Sequence, residues 1–182
     1  MKKNTTTALL AILVAAAVSQ TAQAAPVDIT SVPTAITLLS NGSVNFGDKF
    51  KNNLKNDVFG DHFTFTTTGT NKLDLILTST SSSALNGLNI TGLGLYTSAG
   101  LLAAGGTRVT SGALDKWTLS DANLTAGSYF FKVSGNVVSN TGGAFGANGT
   151  LISAVPEPET YAMMLAGFGL LGFMARRRKN TV

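Results

Sequence analysis

Few residues in this chain could carry out covalent or metal chemistry. The sequence contains no cysteine and one histidine, His62. The lack of cysteine excludes disulfides, a thiolate nucleophile and cysteine-ligated metals, and a single histidine argues against zinc. A Ser-His-Asp site would have to use His62, but its neighbour Asp61 would point to the opposite face of a strand. No nucleophile motif of the G-x-S-x-G type is present.

The aspartates are the remaining candidates. Between residues 26 and 155 the chain has seven aspartates and no glutamate, and no sequence pattern brings two of them together. Paired carboxylates for glycoside hydrolysis are therefore not indicated. A weak Ca²⁺ site from Asp57, Asp61 and nearby carbonyl groups stays open, although the dense Asp/Asn spacing of a calcium loop is missing. We therefore predict no enzymatic activity and no cofactor.

The elements that must position these residues are strands. Apolar and polar residues alternate with period two in several short segments, which is typical of half-buried strands. These segments are 63–66, 73–78, 93–96 and 129–133. Pieces rich in Gly, Ser and Asn separate them, at 69–71, 79–83, 105–106 and 142–143. The pattern predicts an all-β domain, a small antiparallel and jelly-roll-like β-sandwich, over residues 25–154.

One five-residue motif occurs twice. Phe46-Gly47-Asp48-Lys49-Phe50 returns thirteen residues later as Phe59-Gly60-Asp61-His62-Phe63. In a strand, Phe59, Asp61 and Phe63 share the core-facing side. Since a buried carboxylate needs partners such as backbone N–H groups, we predict a structural role for Asp61 at the start of this strand.

Aromatic side chains are the candidates for a sugar-binding surface. The rings available are Trp117, Tyr96 and Tyr129. Tyr129 alternates with apolar residues and is expected in the core. Trp117 follows Lys116, and both an exposed position and a packed one stay open. An exposed aromatic cluster would favour sugar binding, whereas a surface of Thr, Ser and Asn would favour a structural role.

The N-terminus has the three parts of a secretory signal. Lys2 and Lys3 provide positive charge, residues 8–18 form an apolar run of eleven residues, and Ala22 and Ala24 are small residues at the positions read by signal peptidase. This pattern predicts an N-terminal signal helix over residues 1–24 and cleavage after Ala24. The apolar run measures ~17 Å as a helix, too short for a bilayer core of ~30 Å.

The C-terminus has a second three-part pattern. A proline- and glutamate-rich motif over 155–160 contains Pro156, Glu157, Pro158 and Glu159. Residues 161–175 are uncharged and predict a single transmembrane helix, although ~22 Å is shorter than a full bilayer. The segment ends in four basic residues, Arg176, Arg177, Arg178 and Lys179. Such a cluster predicts a cytoplasmic C-terminus and a periplasmic domain.

The basic charge lies at the two ends. The formal net charge is +4, but residues 26–155 contain seven Lys or Arg and seven Asp, so the central domain is neutral. A nucleic-acid-binding protein should carry its basic charge on the folded domain. We therefore do not expect a nucleic-acid partner.

The C-terminal segment resembles the PEP-CTERM sorting signal. Pro156-Glu157-Pro158, the short apolar span and the Arg cluster occur in the same order as in that family. With Phe59, Asp61 and Phe63, the chain resembles the FxDxF family of PEP-CTERM proteins. The stretch 61–135 also resembles a small accessory sandwich found beside bacterial secreted peptidases, and this likeness implies no catalysis.

The resemblance implies a route and a set of partners. These are signal peptidase, the membrane, and exosortase, an enzyme that processes such tails in Gram-negative bacteria which make exopolysaccharide. We therefore expect an exported protein with an inner-membrane intermediate and a final position at the cell surface or outside the cell. The expected role is structural, in a biofilm or exopolysaccharide matrix. The alternatives are a carbohydrate-binding surface module and, less favoured, a membrane-anchored β domain or an enzyme.

Overall fold

The computed structural model describes residues 25–153 and 158–179. The expected signal segment, including Ala22 and Ala24, lies outside these residues, as do Pro156 and Glu157 of the sorting motif. Within the described ranges the chain forms ten strands and one helix. In chain order they are β1 (Thr34–Ala35), β2 (Ser43–Phe50), β3 (Val58–Thr67), β4 (Asn71–Thr80), β5 (Leu88–Thr97), β6 (Leu102–Gly105), β7 (Thr107–Thr110), β8 (Leu114–Leu124), β9 (Gly127–Val137), β10 (Gly143–Ser153) and α1 (Pro158–Lys179).

The strands form two five-stranded sheets. The first sheet has the order β1-β3-β9-β5-β6, and the second has the order β2-β10-β4-β8-β7. All neighbours are antiparallel except β1 and β3, which run parallel. The predicted all-β fold, with mainly antiparallel strands, is therefore confirmed.

The core lies between the two sheets and is built from the alternating residues. In β4 the buried positions are every second residue, including Leu73, Leu75 and Leu77. In β9 they include Tyr129, Phe131 and Val133, so the predicted core position of Tyr129 is confirmed. Each such side chain contributes roughly 1.5–3 kcal/mol when fully buried. Burial of this kind must stabilise a domain that has no disulfide.

The sequence pattern missed several strands and misplaced some turns. β2, β8 and β10 were not predicted, and Gly143 opens β10 although it was expected in a turn. In β10, glycine allows the backbones of two neighbouring strands to approach closely. A Cβ on Gly149 would lie 2.4 Å from the carbonyl oxygen of Asp74 on the neighbouring strand, so only glycine allows this pairing.

Residues 27–36, which we call the strap, run along the free edge of β3. Val58 N–H donates to the Val27 carbonyl at 2.9 Å, and Ile29 N–H donates to the Val58 carbonyl at 2.8 Å. Farther on, Ile36 N–H donates to the Thr64 carbonyl at 2.8 Å, beside the short parallel pairing of β1 with β3. The strap thus covers a strand edge that would otherwise present unpaired backbone groups.

The helix α1 differs from the transmembrane segment expected over residues 161–175. These residues are helical, but no helix in the described part of the chain is long and apolar enough to cross a membrane. The physical reason is the position of the charges. Any window of 18 residues in α1 includes Glu159 or Arg176, because the uncharged stretch between them, 160–175, has only 16 residues.

Candidate functional site

The C-terminal tail is the first candidate. α1 begins at Pro158, which suits the first turn of a helix because its missing N–H would have no partner there. Its large apolar side chains are exposed, with Met163 at 75% and Phe168 at 62%. An exposed apolar surface of this kind marks an interaction site. Arg176 is exposed, whereas the side chains of Pro158, Glu159, Arg177, Arg178 and Lys179 lie outside the described part of the structure.

The two copies of the repeated motif form a second site. The first copy lies in β2 of one sheet, the second in β3 of the other, and they run past each other in opposite directions. Phe46 stacks on Phe63 with ring centroids 4.5 Å apart, and Phe50 stacks on Phe59 at 4.3 Å. Each ring pair joins the first phenylalanine of one copy to the last of the other. The sequence shows the repeat but not this pairing.

Asp48 and Asp61 occupy the space between these two ring pairs. Asp61 is 1% exposed, and Asp48 is half-buried. Ser31 of the strap contacts both: its N–H donates to Asp61 Oδ1 at 2.8 Å, and its hydroxyl donates to Asp48 Oδ2 at 2.6 Å. Among the described residues, Asp61 Oδ2 has no hydrogen-bond partner.

The environment of Asp61 favours its neutral form. Burial raises the pKa of the Asp61 carboxyl to about 6, against a smaller lowering by the Ser31 N–H. The negative charge of Asp48 raises this pKa further, and Asp28 adds a smaller effect of the same sign. Asp61 thus has the predicted backbone partner, but it also has a neighbouring carboxylate that the sequence did not reveal.

The weak Ca²⁺ site of Asp57 and Asp61 finds little support in this geometry. Asp57 Oδ1 accepts the Val27 N–H at 3.0 Å, whereas Asp61 faces Ser31 and Asp48. Within residues 25–153 and 158–179, no group of three or more His, Cys, Asp or Glu side chains is placed to hold a metal ion. Ca²⁺ prefers six to eight oxygen ligands.

A second buried aspartate, which the sequence reasoning missed, lies at the opposite edge of the sandwich. Asp115 in β8 is 1% exposed and accepts the Ile90 N–H of β5 at 2.7 Å, across the two sheets. Arg108 in β7 donates to Asp115 Oδ1 at 2.6 Å and to Asn89 Oδ1 at 2.9 Å. The alternation of Asp115 with Trp117 and Leu119 could have placed Asp115 on the core face.

The aromatic residues do not form a flat exposed platform. Trp117 is only 9% exposed and lies beneath the Arg108 guanidinium, which is 5.8 Å from the ring centroid. On the outer face of the first sheet, Phe130 stacks between His62 at 4.7 Å and Tyr96 at 5.3 Å. The His62 and Phe130 rings are tilted by 37° and all three rings pack on one another, so they present no single flat face.

Next to this stack lies a shallow cleft of about 450 Å³. Its lining includes the hydroxyl groups of Thr64, Thr66, Ser98 and Ser128, and the ring of Phe130. Such a surface offers hydrogen bonds beside an apolar contact, which is the chemistry that a saccharide requires.

His62 and Asp61 do not form a catalytic pair. His62 lies on the outer face of β3, whereas Asp61 faces the core. Burial lowers the pKa of His62, and the positive charge of Lys132 lowers it further. Their opposite orientations follow from the alternation of side chains along a strand.

Comparison with known proteins identifies the tail. Residues 154–179 match the PEP-CTERM protein-sorting motif, which confirms this resemblance. The chain therefore carries a PEP-CTERM sorting signal at its C-terminus; the FxDxF subtype is not confirmed. A search of curated proteins gave no match.

One similar solved structure is the pre-peptidase C-terminal domain of collagenase from Bacillus anthracis. The two chains are 14% identical, and the alignment covers 69% of this chain and 96% of that domain. The TM-score is 0.35, so this likeness carries no argument about fold or function.

Proposed function

We propose that this chain is an exported protein that exosortase sorts through its C-terminal tail, and that the β-sandwich is the part delivered. One observation carries the proposal: the Pro-Glu-Pro motif at 156–158 follows the last residue of β10, Ser153, and its second proline, Pro158, is the first residue of α1. Cleavage in this interval leaves every described strand in one product. The helix with its exposed apolar side chains and its basic end stays in the other.

The proposed route has three stages. Signal peptidase cuts after Ala24, and α1 then associates with the inner membrane through its exposed apolar side chains. The sandwich stays on the periplasmic side until exosortase processes the tail. The product then reaches the cell surface or the extracellular matrix.

The proposed role of the sandwich is structural and not catalytic. The orientation of His62 and Asp61 to opposite faces of β3 supports this view, as does the full burial of the rings in the core. A neutral domain stabilised by aromatic packing suits a matrix of exopolysaccharide, where it needs to persist without a disulfide. Carbohydrate binding is the second candidate, because the cleft beside Phe130 offers hydroxyl groups next to an aromatic ring.

The test of sorting is the intact mass of the protein recovered outside cells that express exosortase. We expect a product that begins at Ala25 and ends near the Pro-Glu-Pro motif. Replacement of Pro156 and Glu157 by alanine should abolish this product, whereas the matched control Met164→Leu, in the tail beyond the motif, should not. A released product that retains residues 158–179 would refute sorting by cleavage.

The test of carbohydrate binding compares two substitutions on the outer faces of the two sheets. Phe130→Ala should reduce retention on exopolysaccharide isolated from the producing cells. Ile76→Ala, on the outer face of the other sheet and 46% exposed, should leave it unchanged. If both variants bind like the unaltered protein, the cleft is not a sugar site.

A further inference from the structure

The pair Asp48 and Asp61 has a property that neither sorting nor matrix assembly explains. Two carboxylates face each other between the sheets, and one of them is 1% exposed with an unpartnered oxygen. Two adjacent negative charges cannot both be buried at low cost, since each loses its hydration and repels the other. The repulsion is relieved either by a neighbouring positive charge or by a proton on one of the two carboxyl groups.

No basic side chain provides that charge. Among the described residues, the ion pairs are Lys72–Asp74 and Arg108–Asp115, and both lie away from Asp61. The charged groups that influence Asp61 are carboxylates, Asp48 from β2 and Asp28 from the strap. Lys49 follows Asp48 but is exposed, and Lys132 acts on Asp28 and on His62 at the outer face.

We propose that Asp48 and Asp61 share one proton, and that this proton fastens the strap over the edge of β3. With this proton, one carboxyl group donates a hydrogen bond to the other, so Asp61 Oδ2 gains a partner. The proton also removes one of the two negative charges. Ser31 completes the arrangement, because its N–H and its hydroxyl each donate to one member of the pair. The strap is thus bound to both sheets through a single residue.

Loss of the proton should loosen the strap. The ionised pair gains most from water, and water reaches it when Ser31 moves away. The other attachments of the strap are backbone bonds at Val27, Ile29 and Ile36, and the short pairing of β1 with β3. In addition, the Val27 N–H donates to Asp57 Oδ1 at 3.0 Å, and the Gly60 N–H donates to the Thr30 hydroxyl at 2.8 Å. The strap starts three residues after Ala24. Cleavage after Ala24 would therefore place the new N-terminus, Ala25, two residues before the strap in the chain.

The test is hydrogen exchange of individual amides in the purified full chain, with rates corrected for the intrinsic effect of pH. We expect the protection of the Ser31, Ile29 and Gly60 amides to fall about tenfold or more between pH 4.5 and pH 7.5. The Ile90 amide, which donates to Asp115 at the other edge, is the internal reference and should not change.

Variants make the assignment specific. Asp61→Asn keeps an acceptor for Ser31 and a donor for Asp48, so the strap amides should stay protected at both pH values. Asp48→Asn changes the other member of the pair and should have the same effect. It replaces the first variant in the test if Asp61→Asn fails to fold. The control Asp74→Asn removes an exposed carboxylate and should keep the pH effect.

Two results would overturn the proposal. The first is equal protection of the strap amides at both pH values in the unaltered protein. The second is recovery of protection at pH 7.5 on addition of ~5–10 mM CaCl₂, a concentration above the Kd of ordinary extracellular calcium sites. The pair would then hold a metal ion and not a proton.

Discussion

Two aspartates are buried at opposite edges of the sandwich, and the unfavourable burial of a carboxylate is compensated differently at each. Asp115 and Asp61 are both 1% exposed, and each accepts a backbone N–H from a separate segment, Ile90 or Ser31. Asp115 also accepts a charged hydrogen bond from Arg108, whereas Asp61 faces a second carboxylate, Asp48. The comparison teaches that burial disfavours the charged form of a carboxyl group, and that a neighbouring guanidinium offsets this effect at Asp115 whereas a second carboxylate adds to it at Asp61.

The two edges should therefore respond differently to chemistry. The Arg108–Asp115 edge is closed by opposite charges and should be insensitive to pH in the neutral range. The Asp48–Asp61 edge has a carboxyl whose pKa is raised to about 6, so its stability should depend on pH. Each of the following experiments tests this difference between the two edges.

The largest effect is expected from Arg108→Ala. Removal of one member of a buried ion pair leaves an uncompensated charge and costs about 3–5 kcal/mol. Because the Arg108 side chain is 34% exposed, we expect about 3 kcal/mol, measured by urea unfolding at pH 7.5. Lys72→Ala, in an exposed ion pair, is the control and should cost less than about 0.5 kcal/mol. A similar small loss for Arg108→Ala would show that this edge does not depend on its ion pair.

The same substitution should have opposite signs at the two aspartates. At pH 7.5, Asp61→Asn should stabilise the protein by roughly 1–3 kcal/mol, because it removes a buried charge that the fold disfavours. Asp115→Asn should destabilise it by roughly 1–3 kcal/mol, because Arg108 loses its charged partner. Urea unfolding of both variants gives the comparison directly, and two changes of the same sign would refute it.

The pH dependence of the unaltered protein follows from the raised pKa of Asp61. The folded state holds the proton up to about pH 6, whereas the unfolded state releases it near its ordinary value of 3.8. The stabilisation is therefore complete below pH 3.8 and is lost as the pH rises to about 6, by up to about 3 kcal/mol. Unfolding midpoints measured from pH 3.5 to pH 7.5 test this, and Asp61→Asn should flatten the curve in this window.

The smallest effect is expected from Ser31→Ala. The variant loses the hydroxyl bond to Asp48 but keeps the N–H bond to Asp61, so the cost should be about 1 kcal/mol. Ser139→Ala removes an exposed hydroxyl bond to Thr141 and is a matched control with a smaller expected loss. Equal losses in urea unfolding would mean that Ser31 has no special place at this edge.

Local patterns in the sequence predicted a substantial part of the fold. The alternating stretches at 63–66, 73–78, 93–96 and 129–133 all lie in strands. The pattern failed where glycine is frequent, as in β10, because a glycine that allows two backbones to approach looks the same in sequence as a glycine in a turn. It also could not give the order of strands within the sheets.

The candidate sites were also predicted only where their residues are close together in the sequence. The sorting signal could be recognised because all its parts, the Pro-Glu-Pro motif, the apolar stretch and the basic cluster, lie within 26 consecutive residues, 154–179. Asp61 could be singled out through its motif, but its partner Asp48 could not. Asp115 gave no signal beyond one alternating stretch, since its two partners, Ile90 and Arg108, lie on other strands.

The sequence by itself determined the sorting signal at 154–179, the neutral charge of the domain and the faces of its main strands. These properties depend on residues that are near one another in the chain, and they need no knowledge of the fold. Only the tertiary structure decided that the two FGDxF copies meet between the sheets and that one strap residue bridges their carboxylates. Such contacts depend on which strands become neighbours, and this is set by the packing of the whole core.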